Sequence, residues 1–204
     1  MKTIFALLIC SFASLAVAQE LAPDAQVKKI AVDVIAIARQ AKEPKTAGQI
    51  NDLIDTKVLP YFNFGHMTAL ALGRNWPKAS AEQQKALTGE FRTLLVRTYS
   101  SALSTYKNQA IEVKPLRAAA TDEDVTVRTL VRQPGGESIS IDYSMEKTPG
   151  GWKIYDVVVG GVSLVTNYRE TFNSAIRDGG VDGLIKALAG KNRAQEGHAG
   201  AKHS

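Results

Sequence analysis

Apolar residues recur at three- and four-residue steps through the first half of the chain and at two-residue steps after Asn108, so the pattern predicts helices followed by a sheet. From Ala22 to Ala41, Val27, Ile30, Ala31, Val34, Ala38 and Ala41 share one helical face, with Pro23 and Asp24 suited to a first turn and Pro44 to an exit. A second helix is expected from Thr46 to about Val58, presenting Ile50, Leu53, Ile54 and Val58 before Pro60 breaks it. The dense apolar run from Tyr61 to Leu72 reads as a short helix with apolar residues on most sides, closed by Gly73. Ser80 and Gln83 form an S-x-x-Q capping box ahead of a long stripe, Leu87, Phe91, Leu94, Leu95, Thr98, Tyr99, Ala102, Leu103 and Tyr106, which predicts a long amphipathic helix.

The alternating segments are Ile111 and Val113, then Val125 to Val131, then Ile139 to Met145, and finally Trp152 to Val159. They predict a four-stranded antiparallel meander, with Pro134-Gly135-Gly136 and Pro149-Gly150-Gly151 as hairpin turns, and hence an α+β fold of several helices packed with one sheet. Strict alternation in the last segment puts Trp152, Ile154 and Val158 on one face, interrupted by Asp156, and Tyr155, Val157 and Val159 on the other. Apolar side chains on both faces imply cover on both sides, or a cavity on one. After Gly160-Gly161, the residues Leu164, Val165, Tyr168, Phe172 and Ile176 predict another helix that stops at Gly179-Gly180, and Leu184, Ile185 and Leu188 a short last one. Residues 191–204 are polar without an apolar period and are expected to form a flexible tail.

Composition narrows the class. With 204 residues, 45% hydrophobic and 22% charged, the chain is neither disordered nor a coiled coil, and residues 19–190 suffice for a single domain. Residues 1–18 read as a signal peptide, because Lys2 precedes the apolar run from Ile4 to Val17 and Ala16-Val17-Ala18 offers a small-x-small cleavage site. That run is shorter than the ~20 residues of a membrane-spanning helix. Cys10, the single cysteine, lies inside it, and bulky Ile9 before it argues against lipid attachment. Cleavage would leave 24 basic against 20 acidic residues and no cysteine, so the exported protein must be held by its core and not by a disulfide. The mild basic excess lacks the clustered stripe of a nucleic-acid binder, and no nucleic-acid partner is expected.

Groups for catalysis are scarce. His66 is the only histidine before the tail and sits in an apolar helix, which favours a structural role. His198 and His203 fit no compact metal site, and the Gly-Gly pairs lack phosphate-binding spacing, so no metal or soluble cofactor is expected. Asp142 and Asp156 fall on neighbouring strands, where a solvated sheet surface is the simpler account of Asp142. What remains is abundant apolar surface. A dedicated cavity and a packed core explain it alike, since side chains facing a ligand and side chains facing each other produce the same pattern.

Two segments carry a resemblance. The run from Val58 to Trp76, VLPYFNFGHMTALALGRNW, continuing through Tyr99, and the run from Trp152 to Arg169, WKIYDVVVGGVSLVTNYR, resemble the MlaC family of toluene-tolerance, periplasmic phospholipid-binding proteins of Gram-negative bacteria. Gly160 stands where an acidic residue is common in that family. The resemblance implies a monomeric periplasmic carrier, without cofactor, that maintains outer-membrane lipid asymmetry. It would move phospholipid between an outer-membrane lipoprotein–porin complex and an inner-membrane ABC transporter with an MCE-domain subunit. It also implies a roll of the NTF2-like or cystatin-like kind with an internal apolar cavity. Met67, Leu70, Leu95, Tyr99, Leu103, Val127, Tyr143, Val157, Val162 and Val165 are the residues expected to line it. At ~0.8 kcal/mol per CH₂, two acyl chains with about thirty methylenes would forfeit on the order of 24 kcal/mol if left in water, so a carrier must enclose most of both tails. An NTF2-like enzyme would instead need His66 or Asp156 facing the cavity, and a ligand-free adaptor would show a filled core and an exposed apolar patch.

Overall fold

Local chemistry sets the helix boundaries that the spacing predicts. In the computed structural model, which describes residues 21–40, 47–100, 109–119, 121–133 and 135–200, the helices are α1 (Pro23–Gln40), α2 (Ala47–Lys57), α3 (Phe64–Leu72), α4 (Ala81–Ser100) and α5 (Arg169–Gly200). The signal peptide, Leu103, Tyr106, Pro134 and the last four residues of the expected tail lie outside the described residues. At the start of α3 the Asn63 side chain accepts a hydrogen bond from the His66 backbone N–H at 3.1 Å. At the start of α4 the capping box closes in both directions: Gln83 N–H donates to Ser80 Oγ at 3.2 Å, and Ser80 N–H donates to Gln83 Oε1 at 3.0 Å.

The strands β1 (Ala110–Val113), β2 (Asp124–Arg132), β3 (Ile139–Thr148), β4 (Gly151–Val159) and β5 (Val162–Ser163) form one antiparallel sheet in sequence order. The meander therefore has one strand more than alternation predicts. Gly160 and Gly161, at φ 56° and 85°, make the two-residue turn between β4 and β5, a conformation that L side chains rarely adopt. Two residues are too few to show a period, so this strand leaves no signal in the sequence.

Strand β4 also departs from strict alternation. Ser144 pairs with Asp156 and Met145 with Ile154, which leaves Tyr155 as the extra residue of a β-bulge. The bulge shifts the phase, so Ile154 and Val157 lie on the same face of the sheet, opposite Met145 and Tyr143 respectively. The shift thus accounts for apolar Ile154 and Val157 sharing one face in spite of their three-residue spacing.

The core is in two parts. Val27 and Ile30 of α1 pack with Val125, Val127, Met145, Trp152 and Ile154 of the sheet. Buried Gln26 pins α1 down by donating to the Trp152 carbonyl at 2.9 Å. The second part joins Met67, Ala71 and Leu72 of α3, Leu87, Phe91, Leu94 and Leu95 of α4, and Phe172, Leu184 and Leu188 of α5. Phe62 packs against both.

After β5, Leu164 and Val165 precede a short 3-10 turn at Thr166–Tyr168 instead of opening the helix. Helix α5 is broken at Gly180, whose φ of 67° and ψ of −170° separate it into the two helical pieces expected on either side of Gly179-Gly180. Its second piece does not give way to a tail at Lys191 but continues to Gly200. Polar contacts hold it there: Asn192, only 5% exposed, donates from Nδ2 to the Glu90 carbonyl at 3.0 Å and to Glu90 Oε2 at 2.7 Å, and Arg97 donates to the Asn192 carbonyl. An apolar period cannot register an anchor of that kind.

Candidate functional site

Between the two parts of the core lies a cavity of about 230 Å³. Helix α1 contributes Ile30 and Val34 to its wall, α2 and the break after it Ile54, Val58 and Leu59, and the chain through α3 Phe62, Phe64 and Met67. Leu95, Val96 and Tyr99 come from α4, Tyr143 and Val157 from the sheet, and Leu164 from the segment after β5. Among these side chains only the two phenols are polar. The β-bulge sets Val157 on the same face of the sheet as Ile154 and so brings it to the cavity wall.

Burial pushes the Tyr99 phenol up to about 12, with the neighbouring Tyr168 phenol adding to the effect. Burial also pushes the Tyr143 phenol up, opposed by the Thr129 hydroxyl. Both are neutral hydroxyls at physiological pH. The wall can therefore solvate hydrocarbon and offer an occasional hydrogen bond, but it supplies no carboxylate or imidazole for acid–base chemistry.

Five of the ten expected residues line the cavity: Met67, Leu95, Tyr99, Tyr143 and Val157. Val127, which pairs with Tyr143, is fully buried beneath α1 in the sheet half of the core, and Val165 is fully buried in the helical half. Leu70 packs part-buried against the helical half. Val162 is 55% exposed, because the tight turn before it leaves β5 at the sheet's rim. Leu103 lies outside the described residues. Reading the chain from the α4 and strand patterns missed the contribution of α1 and α2. Ile30, Val34 and Ile54 were legible as helical core positions, but nothing in their spacing distinguishes a wall that faces space from one that faces another helix.

Neither candidate acid–base residue lines the cavity. His66 stacks on Tyr155 with ring centroids 4.3 Å apart, and its Nδ1 lies 3.0 Å from Glu146 Oε1, which also accepts from Asn63 Nδ2 at 2.7 Å. Tyr155 in turn donates to Asp124, with its hydroxyl 2.8 and 3.0 Å from the two carboxylate oxygens. Asp142 sits on the sheet surface, with one carboxylate oxygen 3.9 Å from Arg128 Nε. Asp156, in contrast, is buried. Its Oδ1 accepts from Ser163 Oγ at 2.9 Å and from the Val157 N–H at 2.8 Å, while Ser163 Oγ accepts from the N–H groups of Val165 and Thr166. That chain of bonds satisfies buried donors and ties β5 to β4, a structural task. A second cleft, about 430 Å³, lies where the loop after β1 meets β2, but its wall holds Lys114, Arg117, Asp122, Asp124 and Arg128, and such a wall cannot solvate hydrocarbon. No helix among the described residues is long and apolar enough to cross a membrane, and among them no group of three or more His, Cys, Asp or Glu is placed to hold a metal ion.

A sequence model of the family described as MlaC protein matches residues 28–190. The chain belongs to the MlaC family. It is 26% identical over 154 residues to the intermembrane phospholipid transport system binding protein MlaC of Haemophilus influenzae, covering 74% of this chain and 72% of that relative. It is 31% identical over 113 residues to toluene tolerance protein ttg2D of Pseudomonas putida, covering 55% and 52%. Among solved structures, the phospholipid-binding protein from Ralstonia solanacearum, determined in complex with a phospholipid, superposes with a TM-score of 0.76 at 38% identity, covering 85% of this chain and 98% of that one. The α+β arrangement of helices against an open antiparallel sheet is thus the MlaC-family fold, with five strands where alternation shows four.

Proposed function

We propose that the protein is a periplasmic phospholipid carrier whose acyl tails occupy the cavity between the two halves of the core. The observation that carries this reading is the cavity itself: about 230 Å³ of space walled by aliphatic and aromatic side chains where a single packed core would otherwise be expected. An unfilled apolar space forfeits dispersion contacts and stabilises nothing, so its presence is best accounted for by a hydrocarbon occupant. The likeness to a phospholipid-bound relative at 38% identity supports the choice of occupant. Met67, Leu95, Tyr99, Tyr143 and Val157, together with Ile30, Val34, Ile54 and Leu164, are then the residues that contact the tails.

The cavity is smaller than the roughly 300–1,000 Å³ that encloses a drug-sized ligand. Two full tails therefore require the wall of the cavity to open further. Residues 1–18 would direct export, residues 19–190 would form the lipid-binding domain, and the protein would act as a monomer. It would collect and deliver lipid at the outer-membrane lipoprotein–porin complex and at the inner-membrane ABC transporter with its MCE-domain subunit, without catalysis or cofactor. Native mass spectrometry of protein gently purified from the periplasm tests the reading. A mass increment that fragments as phospholipid is the expected result, and a bare polypeptide mass would overturn it.

A further inference from the structure

Helix α2 is the thinly anchored part of the cavity wall. Of residues 49–57 only Ile54 is buried, and it faces the cavity without joining either half of the core. The helix packs on α1 and on the 3-10 turn Leu59–Tyr61, with no comparable packing on α4. An element with so few buried contacts opens at low cost. Pro60, which has no backbone N–H, keeps the helix from continuing, and beyond it the chain is fastened to the sheet. Lys153 Nζ donates to the Pro60 carbonyl at 2.6 Å, the Asn63 N–H donates to the Ile154 carbonyl at 2.8 Å, and Phe62 pairs with Ile154 as a parallel bridge. The break at residues 58–60 therefore has one fixed side and one loosely held side, the arrangement of a hinge.

Helix α4 walls the cavity with Leu95 and Val96, and Arg92 lies one turn before them. Arg92 Nη2 is 2.6 Å from Oδ1 of Asp55, the residue after Ile54, and the guanidinium carbon is 5.7 Å from the centroid of the Phe64 ring on α3. One side chain thus ties together three helices that wall the cavity. The two partners are 42 and 51% exposed, so water competes for the pair and it can break and re-form readily. We propose that α2 is the lid of the cavity: it swings on the hinge at residues 58–60 to admit and release lipid, and the Asp55–Arg92 pair latches it shut. This inference rests on the phospholipid-carrier reading and names the part of the wall that opens.

The test mixes protein carrying its co-purified phospholipid with excess vesicles of deuterated phosphatidylethanolamine, and follows replacement of the bound lipid by native mass spectrometry. Asp55→Asn leaves Arg92 on Phe64 but frees α2, and should speed exchange roughly two- to fivefold, the reach of an exposed ion pair. Glu112→Gln, which breaks a pair of the same length to Arg132 between β1 and β2, should leave the rate unchanged. The second sample combines Asp55→Cys with Arg92→Cys. Cys10, the single cysteine of the chain, lies within residues 1–18, so the exported protein brings no competing thiol. Joining the two new thiols with a short bismaleimide should all but stop exchange. Exchange by the joined protein at the unjoined rate, an Asp55→Asn rate equal to that of the wild type, or an equal acceleration by Glu112→Gln would overturn the lid while leaving the carrier reading intact. Protein that carries no phospholipid and takes up none would overturn both.

Discussion

Val157 and Val162 are valines on adjoining strands with opposite surroundings, one in the cavity wall and the other 55% exposed. Val162→Asp should accordingly leave urea stability within about 0.5 kcal/mol of the wild type and lipid content unchanged, contrary to what its place beside a Gly-Gly bend suggests from sequence. Val157→Asp should deplete co-purified phospholipid, because it puts a carboxylate where hydrocarbon is the solvent, and Val127→Asp should cost several kcal/mol in urea unfolding, because no space lies beside it. Measuring stability and lipid on the same samples separates the three. The phenols give a pH prediction at the same scale. Tyr99 and Tyr155 are each pushed up to about 12 in the folded protein, the first by burial and Tyr168, the second by burial and Asp124. A folded value above the unfolded one of about 10 means that the folded state holds the protons longer. The stabilisation is therefore complete below about pH 10 and drains away as the pH rises toward 12. Denaturant melts across that window should show falling stability, with a shallower fall in Tyr155→Phe; an unaltered slope in that variant would contradict the assignment.

Elements were legible wherever their periods ran unbroken. The α1 stripe, the S-x-x-Q start of α4 and the hairpin glycines all found their structural counterparts, because each rests on a local interaction that recurs along the chain. The β-bulge at Tyr155 did not, since an inserted residue reverses the alternation without changing composition. The alternation of Asp156 with apolar neighbours was the available hint, and it was ambiguous without knowledge of the Ser163 partner. Two glycines make the conformational logic measurable. Gly89 lies within α4, and a Cβ added there would meet nothing within 4 Å, so Gly89→Ala should stabilise by about 0.5–1 kcal/mol. Gly180 has equally open space, but its φ of 67° breaks α5, and Gly180→Ala should destabilise by about 1–2 kcal/mol. Chemical denaturation of the two variants should give shifts of opposite sign, an outcome that packing alone would not produce.

At the scale of the molecule, the sequence distinguished apolar from polar faces but not filled from unfilled space. Five expected wall residues do line the cavity, yet Val127 and Val165 satisfy the same pattern from within packed clusters. What separates them is whether the elements facing a side chain leave space beside it, which no residue pattern encodes. The second piece of α5 carries the complementary lesson, because its docking is polar. Removing residues 191–204 would leave the apolar anchors Leu184 and Leu188 in place but would take away Asn192, the partner of both Glu90 and Arg97 on α4. Hydrogen bonds that involve charged groups contribute about 1.5–3 kcal/mol each, and truncation restores hydration to Glu90 and Arg97, so the net loss should be about 1–3 kcal/mol. A melting temperature lowered in the truncated protein, and lowered less by Asn192→Ala in the full-length chain, which removes the bonds to Glu90 but keeps the backbone carbonyl that Arg97 uses, is the expected result. An unchanged melting temperature in both would show that α4 and α5 are held by their apolar faces alone. Since α4 supplies Leu95, Val96 and Tyr99 to the cavity, the same truncation should also lower lipid retention if the polar clamp helps to fix that wall.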